Sequence, residues 1–309
     1  MKILVTGGAG FIGSHFVDRF IYEGHKVWVL DNLCNGTEAN LNPKAEFILI
    51  DIKDSGLEPQ IAKIRPEAVF HLAAQVNTRV SRSNPVFDAI ENIMATLMLI
   101  EAGLKNGMEY FGFASSARAI YGEANGPQSE THPETPMNPY GAAKLAVDKY
   151  LHTYKITRGL KSVSLRFSSV YGPRQGAKGE AGVVAVFAKN LLDGAPLCVN
   201  GDGLQTRDFI YVTDLAEAAS LALKQDSTGV FNLGTGLETS ILDLAKSLCS
   251  IAGADISLIQ HAPTIHGEQR RSAIDPSKAA RVLVWNPRTS LANGLKNTFE
   301  WFASSKIKP

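Results

Sequence analysis

A chain of 309 residues, 45% of them apolar, can bury a large core, and its length favours two parts over one. Charged residues are 20% of the total and sum to +1, which gives no electrostatic reason to expect nucleic acid or an anionic membrane as partner. The longest apolar run, Ile93 to Ile100, stops at Asn92 and Glu101, far short of a membrane span.

The first strand, Ile3-Leu4-Val5, runs straight into Thr6-Gly7-Gly8-Ala9-Gly10-Phe11-Ile12-Gly13, and an apolar helical segment follows from Phe11 to about Tyr22. Strand, tight loop and helix in that order make a phosphate cradle. Glycines let the backbone approach a pyrophosphate, and the helix N-terminus offers free N–H groups and partial positive charge. The glycines read both as Gly8-x-Gly10-x-x-Gly13 and as Gly7-x-x-Gly10-x-x-Gly13, and the sequence does not choose between the two sets. Because this unit begins at residue 2, no signal peptide is expected. Cys34, Cys198 and Cys249 show neither metal nor disulfide spacing, so the expectation is reduced thiols, no metal site and a cytoplasmic location.

Lys26 to Asp31 forms a second buried strand. Asp31 stands 18 residues beyond Gly13, where a carboxylate grips the adenosine ribose of NAD and repels the 2′-phosphate of NADP. Asn32 and Asn35 share its turn. Further strands are expected at Glu46 to Asp51, Pro66 to Ala73, Tyr110 to Ser116 and Lys161 to Ser168. Strands alternating with helices predict an α/β fold with a doubly wound parallel sheet, a Rossmann fold. The C-terminal strand ends then face the ligand crevice, which brings Asp51, Ala73, Ala74 and Gln75 to adenine and ribose.

Asn84-Pro85 opens a long helix to about Lys105, with Asn as cap and Pro in the first turn. Its apolar residues cover more than one face, and the surplus points either to a partner subunit or to a second internal contact. Asn138-Pro139 caps another helix that carries Tyr140 and Lys144 on one face. Beyond residue 168 the pattern loosens, with a strand near 229–234 returning to the main sheet and helices near 240–251 and 289–303. The expected division is a cofactor-binding domain over 1–166 and a smaller, partly discontinuous α/β substrate domain over 167–309.

Tyr140-x-x-x-Lys144 with Ser116 upstream at a strand end is a constellation for moving a hydroxyl proton. Tyrosine has a pKa of roughly 10 and is a poor base at neutral pH, but a neighbouring ammonium favours the phenolate. Tyr140 can then take a proton from a sugar hydroxyl while hydride leaves the same carbon, and Ser116 can hydrogen-bond the reacting oxygen.

Thr6-Gly-Gly-Ala-Gly-Phe-Ile-Gly-Ser14, Asp31-Asn-Leu33, His71-Leu-Ala-Ala74, Ser115-Ser116, Tyr121-Gly122, Tyr140-x-x-x-Lys144, Tyr171-Gly-Pro-Arg-Gln175 and Arg207-Asp-Phe-Ile-Tyr-Val212 resemble the extended short-chain dehydrogenase/reductase family over nearly the whole chain. Within it the chain is most similar to the UDP-glucose 4-epimerases. The resemblance implies a redox-neutral isomerase. A nucleotide-diphosphate sugar is oxidised at C4 by bound NAD, passes through a 4-keto form and is reduced from its other face. It implies Ser116, Tyr140 and Lys144 as catalytic residues, the last two also touching NAD. Gly7, Gly10, Phe11, Ile12, Gly13, Ile52 and Asn92 join the cofactor contacts named above. Ser116, Ser169, Val183, Arg207 and Arg270 are implied as substrate contacts, the arginines at the diphosphate. It also implies a homodimer through the helices starting near Pro85 and Pro139.

Two departures bear on the sugar. Ser169 stands where the family carries Asn, and Ile265-His266-Gly267-Glu268 lacks the family's Arg, so Arg270 or Arg271 is expected to substitute. Arg118 is also unusual; it suits either the carboxylate of a uronic acid sugar or a solvent-facing position. The competing readings are a 4,6-dehydratase or decarboxylase on the same scaffold, a UDP-uronic acid 4-epimerase, and a non-catalytic NAD-binding sensor. Related lyases place Asp-Glu or Glu directly after the serine, where this chain has Ala117 and Arg118.

Overall fold

The computed structural model describes residues 1–176, 182–264 and 269–306. Six strands alternate with helices: β1 (Lys2–Thr6), β2 (Lys26–Asp31), β3 (Glu46–Leu49), β4 (Ala68–His71), β5 (Tyr110–Ser116) and β6 (Lys161–Phe167). Further strands follow: β7 (Ser169–Tyr171), β8 (Leu197–Asn200), β9 (Thr206–Arg207), β10 (Phe209–Tyr211), β11 (Gly229–Leu233), β12 (Thr239–Ser240) and β13 (Ile259–Ala262). The first six and β11 make one parallel sheet in the order β11-β6-β5-β4-β1-β2-β3. The order reverses between β1 and β4, and a crevice at the C-terminal strand ends opens at that switch point.

Side chains alternate across a strand, so neighbours in β1 feed two cores. Ile3 and Val5 pack with Phe16, Val17 and Phe20 of helix Phe11–Tyr22 and with Leu215 and Ala219 of helix Val212–Lys224. Leu4 faces the other way, toward Ile61, Leu99, Val147 and Leu151 from helices Leu57–Ile64, Ala95–Lys105 and Pro139–Arg158. Helices on both faces make the sheet doubly wound. A third core, around Tyr171, Phe187, Val199, Phe209, Leu244 and Leu295, joins the small sheets β7/β10 and β8/β13 to the helices after residue 182.

Three elements differ from the sequence expectation. β3 ends at Leu49 rather than Asp51, because the Asp51 carboxylate accepts the Lys53 N–H (2.9 Å) and turns the chain. β4 covers only Ala68–His71, as the chain leaves the sheet at Leu72. The helix from Pro85 is interrupted by a π turn over Ile90–Met94 before it resumes at Ala95–Lys105. Its caps are as expected: Asn84 accepts the Phe87 N–H (3.1 Å), and Asn138 accepts that of Gly141 (2.9 Å).

Candidate active site

The glycine loop is folded on itself. Gly7 has φ +70°, and a Cβ there would lie 2.6 Å from the Ala73 nitrogen. A Cβ on Gly13 would lie 2.1 Å from the Gly7 carbonyl oxygen. Gly8 meets only side chains, those of Val29 and Val17, so the strictest backbone demands fall on Gly7 and Gly13. Gly10 begins the helix with no side-chain cap, which leaves Phe11, Ile12 and the first turn with donors to offer an anion.

Asp31 lies beside this loop at the end of β2. Its carboxylate accepts from Ala9 N–H (3.0 Å) and Leu33 N–H (2.8 Å). Asn32 donates to Asp51 (2.9 Å), and Ile52 is buried just beyond; Asn35 is exposed in the same turn. Across the crevice, Ala73, Ala74 and Gln75 follow β4. Asn92 sits behind them, buried, with its amide accepting from Gln75 N–H and donating to Gln75 C=O, both at 2.9 Å. Asn92 is the buried residue of the π turn. Its amide is therefore committed to the Gln75 turn and to Asp88 (3.0 Å).

His71 ties these strands together. Thr96 gives its hydroxyl proton to Asn92 C=O (2.8 Å) and so accepts from His71 Nε2–H (2.9 Å), while His71 Nδ1 accepts from Thr6 (2.6 Å). Burial, aided by the Lys144 charge, pulls the His71 pKa down to about 3, so the ring is neutral.

Ser116 ends β5 and caps the short helix Ala117–Tyr121, accepting from Ala119 N–H (3.4 Å). Tyr140 lies in the first turn of Pro139–Arg158. That turn packs directly on the Ser116 helix, since a Cβ on Gly141 would lie 2.1 Å from the Ala119 carbonyl oxygen. The fold thus brings Ser116, Tyr140 and Lys144 to one place. Lys144 is buried, donates to Ala114 C=O (2.9 Å) and lies 4.5 Å from the Phe113 ring centre and 5.7 Å from that of Tyr140. Burial pulls its pKa down to about 8 against the upward pull of Asp148 and Asp88. Burial and the Asp88 charge push the Tyr140 hydroxyl well above its ordinary value.

Behind Lys144 is a charge network that no sequence motif announced. Buried Asp148 accepts from Arg166 Nε (2.9 Å) and Ser164 (2.5 Å); Arg166 also donates to Tyr121 (2.9 Å) and Glu134 (2.6 Å). Tyr121 donates to Asn232 of β11 (2.8 Å). The faint signal in the sequence was charge at positions otherwise read as apolar strand and helix.

On the opposite side, Ser169 begins β7 and donates its N–H to Asp208 C=O (2.9 Å); beside it Ser168 Oγ is buried with no hydrogen-bond partner among the described residues. Val183 starts a helix whose N-terminus lacks a side-chain cap. Arg207 is buried in β9, and Thr206 N–H donates to Arg270 C=O (2.9 Å), so the two arginines share one edge. The exposed Arg270 guanidinium forks onto Asp202 (2.8 and 2.6 Å), and Arg271 pairs with Glu238 (2.6 Å). Ile265 to Glu268 lie outside the described residues. Arg118 donates to Gln269 Oε1 (3.3 Å). Glu123, the next carboxylate after Ser116, accepts the N–H groups of Arg270 (2.8 Å) and Arg271 (2.9 Å).

The sequence profile of the NAD dependent epimerase/dehydratase family matches residues 3–234. The UDP-glucose 4-epimerase of Mycolicibacterium smegmatis is 40% identical, with 98% of each chain covered. Among solved structures, the UDP-glucose 4-epimerase of Thermotoga maritima with UDP-glucose superposes with a TM-score of 0.96 at 44% identity, covering 99% of this chain and all of that one. That of Thermus thermophilus in complex with NAD gives 0.94 at 40% identity, with the same coverage. A match across most of the chain, on a sheet whose crevice carries the family's glycine loop and tyrosine–lysine pair, makes this protein a member of the NAD dependent epimerase/dehydratase family within the extended short-chain dehydrogenases/reductases.

Proposed function

We propose that this protein is an NAD-dependent isomerase that inverts C4 of a UDP-linked hexose, with UDP-glucose and UDP-galactose as the substrate pair. The observation that carries this is the convergence of Ser116, Tyr140 and Lys144 at the end of β5, beside the glycine cradle. The cradle fits a dinucleotide: Gly7 and Gly13 leave no room for a Cβ, the helix N-terminus is uncapped, and Asp31 stands at the ribose end. Bound NAD⁺ supplies the hydride acceptor at C4 and a positive charge near the tyrosine.

The residues of this chain do the proton work. Lys144 places a charge by the Tyr140 ring and lowers the cost of its phenolate, offsetting the burial that holds the hydroxyl protonated. Tyr140 takes the proton from the C4 hydroxyl and returns it once the 4-keto sugar has presented its other face. Ser116 holds the reacting oxygen by a hydrogen bond. Residues 1–166 hold the cofactor and 167–309 the sugar nucleotide, with Arg207 and Arg270 at the diphosphate and Ser169 and Val183 along the sugar nucleotide. The enzyme works as a homodimer in the cytoplasm.

The lyase reading lacks its acid–base group. Ala117 cannot transfer a proton, Arg118 stays protonated, and Glu123 is engaged with two backbone N–H groups. Incubating the purified protein with UDP-glucose should give UDP-galactose of unchanged mass. A product lighter by one water, or NAD-loaded protein that leaves UDP-glucose untouched, overturns the assignment; carbon dioxide from UDP-glucuronate would mark the decarboxylase.

A further inference from the structure

Asp88 is a carboxylate that the reaction drawn above does not use. It lies in the short helix Pro85–Ala89 and is almost fully buried. Its Oδ1 accepts from the side-chain amides of Gln75 (2.8 Å) and Asn92 (3.0 Å). Its Oδ2 is buried with no hydrogen-bond partner among the described residues. Such an oxygen is rare in folded proteins and calls for a physical reason.

The helix carrying Asp88 packs against Pro139–Arg158, and the Asp88 charge acts on both Tyr140 and Lys144. Neighbouring charges are engaged elsewhere. Asp148, one turn beyond Lys144, is paired with Arg166. Glu91, on the turn after Asp88, is paired with Lys53. Arg79 and Arg82, on the preceding helix, are exposed, and His71 is neutral. Among the described residues, Asp88 is left as the buried anion near Lys144 with an uncommitted oxygen.

We propose that Asp88 is the buried counter-charge of the Tyr140–Lys144 pair, a positioning residue that sets the pH range in which the pair works. The inference rests on those two residues being the reacting pair. An anion beside both raises the proton affinity of each, which keeps the lysine charged and holds the tyrosine proton until substrate and cofactor arrive. Removing it lowers both affinities, so both limbs of the pH–kcat profile move to lower pH together. A residue that merely braced Gln75 and Asn92 would alter cofactor affinity or the height of the profile and leave its limbs in place.

Asp88→Asn keeps an oxygen for Gln75 and Asn92, and Asp88→Ser removes the charge with a different shape. In NAD-loaded enzyme both variants should shift both limbs down by on the order of one pH unit. Ultraviolet titration of the phenolate, read as a difference against Tyr140→Phe, should move the same way without turnover. Asp88→Glu, which keeps the charge, should restore the wild-type limbs. Unmoved limbs and an unmoved phenolate titration in both neutral variants overturn the role of Asp88 while Tyr140→Phe stays inactive. Turnover by Tyr140→Phe overturns the reacting pair itself, and the inference with it.

Discussion

At the scale of the residue, the Tyr140 hydroxyl is the group on which the proposed chemistry turns. Tyr140→Phe leaves the ring beside Lys144 and removes only the acid–base group. It should retain NAD and lose turnover by more than roughly 10²-fold, measured as UDP-galactose formation. Activity near that of the wild type would assign the proton to another group. Gly13, Asp31, Tyr140 and Lys144 were legible as candidates in the sequence because each belongs to a short motif whose spacing carries its meaning, whereas the choice of Gly7 over Gly8 needed the fold. Asp88 was not: it is one carboxylate in an apolar helical run, and its partners Gln75 and Lys144 are 13 and 56 positions away. The commitment of Arg270 to Asp202 was equally hidden, since an ion pair across 68 positions leaves no local pattern. The proposed contact of Arg270 with the diphosphate would require that pair to open. It is exposed on both sides, so solvent screens it and the cost of opening it is small.

At the scale of the element, the strands, caps and helix faces were legible because period and capping residues are local. The π turn was not, since the bonds that accompany it join Asn92 to the Gln75 backbone 17 positions away and leave no local pattern. The same crossing of elements makes His71 a test of how β1, β4 and the helix Ala95–Lys105 hold together. His71 takes up a proton at 6.5 in the unfolded chain and only near 3 in the fold. Between those values the unfolded chain binds the extra proton, so stability contributed by this group is full above 6.5 and is lost as pH falls toward about 3. The loss is on the order of a few kcal/mol. His71→Gln has no such proton to take up. Its denaturant midpoint should fall less steeply than that of the wild type across this acid window, and parallel falls would show that other groups set the acid limit.

At the scale of the whole molecule, the helix that positions Gln75 on one side carries an unpartnered apolar stripe on the other. Val86, Ile90, Met94 and Met98 recur every four residues and are 69%, 45%, 54% and 44% exposed, with Phe87 beside them. Four large apolar side chains in one row are more than a scattered surface shows, and covering what each still exposes stabilises by on the order of 1 kcal/mol. A second copy of the same row, related by a two-fold axis, would cover all of them at once, which is the geometry of the proposed homodimer. The Ile90→Glu/Met94→Glu pair places unpaired carboxylates in that interface, at a desolvation cost that four apolar side chains do not offset. The variant should sediment as one chain where the wild type sediments as two, with a dissociation constant raised at least about 10³-fold. Because Asp88 and Asn92 face away from the stripe, the monomer should keep its NAD. A wild type that sediments as a single chain would remove the dimer, and loss of NAD on dissociation would mean that the two faces of this helix are not independent.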